Sequence, residues 1–168
     1  MVNLSRWLKH AFMPPWRWRL SFPANVLNDI EKAIKQSESQ HRGELQVAIE
    51  NELAAGWVWH GMTAHHRAAQ VFSNLRVWDT EENSGVLIYI QLADREVHIL
   101  ADRGISKCVE QQEWDRIARL MQGEFSQGKF REGSVKGIEA ITRLLAAHFP
   151  ANSDNINELP NRPVILRR

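Results

Sequence analysis

The sequence predicts an α/β fold, a three-layer α/β/α sandwich with a central mixed sheet. Two apolar segments, 43–50 and 86–92, are separated by a helical segment, and strand, helix and strand in this order make a right-handed parallel crossover. A third segment, 96–101, follows after a short turn, so we expect it to pair back as an antiparallel strand. One domain accounts for a chain of 168 residues.

The predicted elements run in order along residues 23–150. A first helix follows Pro23, and the strand 43–50 comes next, with alternating side chains. Thr63 is a plausible N-cap of a second helix. After the strands 86–92 and 96–101, a third helix ends near Gly128 and a fourth ends at Pro150. We interpret residues 151–168 as a polar tail.

Composition limits the function classes. The 21 lysines and arginines nearly balance 20 acids, and a net charge of +1 gives no field for holding nucleic acid, so we expect no nucleic-acid partner. No segment approaches the ~20 apolar residues of a membrane span, and the start lacks the apolar centre of a secretory signal. The single cysteine, Cys108, suits a reducing compartment. We expect a cytoplasmic protein.

Residues 1–22 form a basic, tryptophan-rich N-terminal arm. Apolar residues recur there at helical spacing: Leu4, Trp7, Leu8, Ala11 and Phe12. They predict an amphipathic helix that ends at Met13, because the two prolines that follow cannot continue it. Two interpretations stay open. The arm packs on the domain or on a partner subunit, or it makes peripheral membrane contact through Trp7, Trp16 and Trp18.

The predicted crossover gathers oxygen-bearing side chains at one edge of the sheet. Glu44 starts the first strand, the loop 79–85 leads into the second, and Asp102 follows the third. Ca²⁺ and Mg²⁺ prefer oxygen ligands, which predicts a weak cation site. Its ligands would be Glu44, Asp79, Glu81, Asn83 and Asp102. The alternative is a solvated acidic loop paired with Arg42 or Arg103. The opposite edge, with Glu50, Glu52, Asp94, Arg95 and Glu96, offers fewer anchored oxygens.

Several separated motifs carry a resemblance to a known family. They are Trp78-Asp79, Asn83-Ser-Gly-Val-Leu87, Asp94-Arg95, Asp102-Arg-Gly-Ile105 and Phe125-Ser-Gln-Gly-Lys-Phe-Arg-Glu-Gly133. In this order, across residues 24–149, they resemble a TPM domain. This family is named after thylakoid-lumen, photosystem-associated and receptor-accessory proteins, and the chain is similar to its short forms.

The resemblance implies an α/β/α fold and a role in maintaining membrane complexes. Some relatives have been assigned acid phosphatase activity and calcium binding. For this chain that would make Asp79 or Asp102, with a metal, and Arg103 the candidate catalytic residues. The residues themselves show no phosphate-binding loop and no aspartyl-phosphatase motif. We therefore expect an accessory module of a membrane-associated complex that binds a divalent cation, with a metal-dependent acid phosphatase as the alternative.

Overall fold

The computed structural model describes residues 3–153 and 156–167. Residues 1 and 2 of the predicted arm, and 154, 155 and 168 of the predicted tail, lie outside the described residues. The strands are β1 (Glu44–Glu50), β2 (Gly85–Gln91), β3 (Glu96–Ala101) and β4 (Val164–Leu166). The helices are α1 (Leu4–Ala11), α2 (Trp18–Ser21), α3 (Ala24–Glu38), α4 (Ala55–Trp59), α5 (Ala64–Asn74), α6 (Arg103–Ser106), α7 (Gln111–Ser126) and α8 (Phe130–His148).

The four strands form one mixed sheet in the order β3-β2-β1-β4. β1 pairs in parallel with β2 from Glu44 opposite Gly85 to Glu50 opposite Gln91, and β3 returns antiparallel to β2. Every residue of β1 and β2 is buried, which explains why their apolar side chains occupy both faces. The predicted crossover and hairpin are confirmed.

Helices cover both faces of this sheet. On one face α3, α7 and α8 contribute Ile30, Trp114 and Leu145 to a large apolar core. On the other face α5 packs Ala68 and Val71 against Leu87 and Tyr89. The three-layer α/β/α sandwich predicted from the sequence is therefore confirmed.

The C-terminal segment contains a strand that the sequence analysis missed. β4 pairs in parallel with β1 over Ala48–Glu50, and Leu159 of the preceding segment is buried in the core beside α5. The interpretation of this segment as a polar tail was wrong for these residues. A strand of three residues shows no alternation, and its partner lies more than 100 residues earlier in the chain.

Candidate functional site

The structure places the backbone of the predicted cation site at one edge of the sheet. The amide of Glu44 donates to the carbonyl of Ser84 at 3.0 Å, and the amide of Asp102 donates to the carbonyl of Gly85 at 2.8 Å. The starts of β1 and β2 and the end of β3 therefore meet there. This shared edge is what the crossover predicted.

The two carboxylates nearest the strands are buried. Oε2 of Glu44 accepts from the amides of Glu158 and Leu159, each at 3.2 Å. Burial raises the pKa of Glu44 above its ordinary value, although these two hydrogen bonds act in the opposite direction. Asp102 caps α6, with Oδ1 accepting from the amide of Arg103 at 2.7 Å. Both side chains thus serve local backbone structure.

The loop side chains of the predicted site point to separate partners. Asp79 pairs with Arg76, and Oδ1 of Asn83 accepts from Nε of Arg103 at 2.9 Å. Glu81 is exposed. Across residues 3–153 and 156–167, no group of three or more His, Cys, Asp or Glu side chains is arranged to hold a metal ion. The alternative was a solvated acidic loop paired with Arg42 or Arg103, and in the structure Arg42 pairs with Glu82 of this loop at 2.8 Å. Asp79 pairs instead with Arg76 of its own loop.

Two glycines explain how this edge is filled. A Cβ on Gly85 would lie 1.9 Å from the carbonyl oxygen of Val77, so the backbone at Val77 passes directly against Gly85 at the start of β2. A Cβ on Gly104 would lie 2.5 Å from the carbonyl oxygen of Asn83. Both glycines belong to the motifs quoted above. They permit close backbone packing at this edge of the sheet.

The opposite edge, where β1 and β2 end, contains a buried polar network. Arg67 of α5 donates to both carboxylate oxygens of Glu50, and the Tyr89 hydroxyl lies 2.5 Å from Oε2 of Glu50. Burial, and then the Glu50 carboxylate, raise the pKa of Tyr89. Sequence reasoning named Glu50 but missed Arg67 and Tyr89. The available signal was the position of Glu50 at the end of β1 and of Tyr89 near the end of the parallel strand β2, while Arg67 lies in α5 and gave no signal.

The arm is attached to this same edge through Asp94, in the turn between β2 and β3. Nε and Nη2 of Arg6 donate to the two Asp94 oxygens at 2.8 Å each, and Nε2 of His10 lies 3.0 Å from Oδ1. Nδ1 of His10 accepts from the amide of Leu53 at 2.9 Å. Burial alone would raise the pKa of Asp94, but the hydrogen bonds from His10 and Arg6 outweigh it and hold that pKa below its usual range.

The attachment turns the polar face of α1 inward. His10 is fully buried, whereas the leucines on the opposite side of the helix are exposed. The exposed apolar side chains of the arm form what we call the apolar arm patch: Leu4 (60% exposed), Leu8 (42%), Phe12 (76%), Trp16 (60%) and Leu20 (79%). Among the described residues, no helix is long and apolar enough to cross a membrane.

The three arm tryptophans have different environments. Trp7 packs edge-to-face on Trp59 of α4, with ring centroids 6.2 Å apart, and is half-buried. The guanidinium carbons of Arg19 and Arg167 lie 5.4 and 5.7 Å from the centre of the Trp18 ring. Trp16 is exposed. Of the three residues named for membrane contact, Trp16 is therefore the one whose ring mostly faces solvent.

The fold is an α/β/α domain, with a mixed four-stranded sheet between two helical layers. The arm covers the end of the sheet where the parallel strands β1 and β2 end. The family model described as TPM domain matches residues 22–144. The chain belongs to the TPM domain family, as its motifs predicted.

Two solved structures are similar to this chain. The NMR structure of the BA42 protein from the psychrophilic bacterium Bizionia argentinensis is 34% identical, with a TM-score of 0.75, over 85% of this chain and 94% of that one. The solution NMR structure of the N-terminal domain of a protein from P. gingivalis is 17% identical, with a TM-score of 0.62, over 82% and 90%. The second likeness concerns the fold alone. No curated protein matches the chain.

Proposed function

We propose that this protein is an accessory module of a membrane-associated complex, and that it docks peripherally on an anionic lipid surface through its arm. The observation that carries the proposal is the outward orientation of the apolar arm patch. Five large apolar side chains lie within seventeen residues of sequence, and each is at least 42% exposed. Exposed apolar side chains concentrated in one segment are typical of an interaction site.

Charge favours lipid as the occupant. Lys9, Arg17 and Arg19 are exposed beside the apolar arm patch, and residues 3–22 contain no aspartate or glutamate. Each cation near an anionic leaflet contributes about 1 kcal/mol of attraction. A surface that combines large apolar side chains with positive charges, and has no acidic residue among them, matches the interface of an anionic bilayer.

The Asp94 contacts support the proposal because they fix the arm before docking. The polar face of α1 has its partners on the domain in Asp94, Leu53 and Met62, whose carbonyl accepts from Arg6 at 2.7 Å. An arm already held with its apolar side outward has little conformational entropy left to lose on binding.

Vesicle co-sedimentation tests this function. Replacing Leu8 and Phe12 together by serine should reduce binding to anionic vesicles by at least tenfold, because each leucine-sized side chain contributes about 1.5–3 kcal/mol when fully buried. Leu120→Ser is the matched control, since Leu120 on α7 is 43% exposed but lies outside the arm. Absence of binding by the intact protein would contradict the proposal.

Binding of a divalent cation is a second candidate function. One observation favours it, at the end of the sheet where β1 and β2 begin. Oε1 of Glu44 and Oδ2 of Asp102 are buried and accept no hydrogen bond from the described residues. A buried carboxylate oxygen without a partner is costly, and Ca²⁺ or Mg²⁺ would satisfy it. Calorimetry with each ion should give heat that is lost in Glu44→Gln and Asp102→Asn. No heat from the intact protein would remove both this site and the metal-dependent phosphatase alternative.

A further inference from the structure

A cleft of about 300 Å³ lies between the arm and the turn that joins β2 to β3. Leu8 and Phe12 of the apolar arm patch form one part of its wall. Lys9, Arg17 and Arg95 contribute three cations. No described acidic side chain lines this cleft.

These three cations have no carboxylate partner among residues 3–153 and 156–167. The two acids that flank Arg95 in sequence have other partners. Asp94 pairs with Arg6 and His10, and Glu96, which lines an adjoining cleft with Arg17 and Arg95, pairs with His98 at 2.8 Å. Positive charges around one small cleft repel one another, so an anion that enters it relieves this repulsion.

We propose that this cleft binds the phosphate monoester headgroup of an anionic phospholipid. A monoester carries between one and a half and two negative charges near neutral pH, because its second pKa is about 6, whereas a diester carries one. Two guanidinium groups and an ammonium group match the higher charge, and arginine binds phosphate through two parallel hydrogen bonds. This inference rests on the proposed docking function and adds to it a preferred lipid.

The apolar wall favours a lipid over a soluble phosphate. Phe12 is 76% exposed and Leu8 is 42% exposed, and a free phosphate would leave both in water. A phospholipid in this orientation places its glycerol and first acyl carbons against them. The cations of the cleft thus match the phosphate headgroup, and its apolar wall matches the start of the acyl chains.

Arg95 offers a variant that removes a charge without weakening the fold. Its φ of 59° lies in the left-handed region, where glycine is more favourable than any branched or long side chain. Arg95→Gly should therefore leave the turn intact. Arg19→Gln is the control, since Arg19, like Arg95, is an exposed arginine, but it lies in the arm and does not line this cleft.

The experiment compares phosphatidylcholine vesicles that contain either phosphatidic acid or phosphatidylglycerol, adjusted to equal surface charge. The intact protein should bind the phosphatidic acid vesicles about tenfold more tightly, the factor that corresponds to one charge-assisted hydrogen bond. Arg95→Gly should bind the two kinds of vesicle equally. Arg19→Gln should lose some affinity for both kinds and keep the preference.

Three results would overturn the inference. They are equal binding of the intact protein to both vesicles, an equal loss of preference in Arg19→Gln, and calorimetric binding of soluble glycerol 3-phosphate as tight as binding of the vesicles. Binding to both vesicles without preference leaves the docking function in place. Binding to neither contradicts the docking function as well, so the two failures are distinguishable.

Discussion

Helices α1 and α3 are both amphipathic, yet they face the domain with opposite sides. α3 buries its apolar face, including Leu27, Ile30 and Ile34, against the sheet. α1 buries His10 and exposes Leu4 and Leu8. The difference lies in the surface that each helix meets. α3 lies on an apolar sheet face, whereas α1 lies on strand ends, where the Asp94 carboxylate and the Leu53 amide hydrogen-bond to polar side chains of α1.

The comparison shows what an apolar stripe establishes. A 3.6-residue repeat identifies two faces of a helix but not which face the domain receives. For α1 the answer depends on Asp94, which lies 88 residues beyond Arg6 in the sequence. The exposed apolar face of α1 therefore does not stabilise the domain core, and we propose that it contacts lipid instead.

The largest expected effect is a difference in the free energy of unfolding between two variants, one in each helix. Ile30→Ala should lower the free energy of unfolding by about 2–5 kcal/mol, because Ile30 is fully buried in the core. Leu8→Ala should change it by less than about 0.5 kcal/mol, as expected for an exposed surface side chain. Urea denaturation of both variants measures the difference. Equal destabilisation would mean that α1 also packs its apolar face inward.

The next effect concerns the attachment of the arm. Asp94→Asn removes the charge that holds Arg6 and His10 and should cost about 2–3 kcal/mol, somewhat less than a wholly buried pair because Arg6 is partly exposed. Asp79→Asn at the exposed Arg76 pair is the control, with an expected cost below about 1 kcal/mol. Amide exchange should accelerate throughout α1 in the first variant and stay unchanged in the second.

The same pair predicts an acid dependence. The pKa of Asp94 is lowered in the folded protein, so its contribution is complete well above the ordinary aspartate value and is lost as pH falls below it. The difference in unfolding free energy between the intact protein and Asp94→Asn should therefore shrink from pH 6 to pH ~3. A difference that stays constant over this range would contradict an ionised Asp94 as the anchor.

A smaller pH effect on stability, of opposite sign, is expected at Glu38, whose Oε2 accepts from Asn161 of the C-terminal segment at 2.9 Å. Burial, and then the neighbouring Glu44, raise the pKa of Glu38 to about 7. The folded state therefore retains a proton that the unfolded chain releases near pH 4.5, and stability falls as pH rises from that value to 7. The decrease should be on the order of 1 kcal/mol, because the Glu38 side chain is partly exposed and solvent screens its interactions. Glu38→Gln should abolish it in urea titrations at each pH.

Much of the fold could be predicted from local pattern, and much of the site could not. Segments such as 86–92 carry their own signal, because the strand β2 (Gly85–Gln91), with which this segment overlaps, is buried on both faces and needs apolar side chains on each. β4 carries no such signal, since its stability comes from pairing with β1. The shared edge at Glu44 and Asp102 followed from the crossover. The direction of the Glu44 side chain depends on the amides of Glu158 and Leu159, which lie more than 100 residues later and show no local pattern.

Thiol accessibility tests the orientation of the arm most directly. The background variant is Cys108→Ser, which removes the exposed native thiol. In it, Leu8→Cys measures the accessibility of the apolar face of α1, and Ile30→Cys measures that of the apolar face of α3. The structure predicts that the thiol at position 8 reacts much faster than the thiol at position 30 and becomes protected when anionic vesicles are added. The thiol at position 30 should be protected throughout. Protection at position 8 without vesicles, equal to that at position 30, would contradict an outward apolar face.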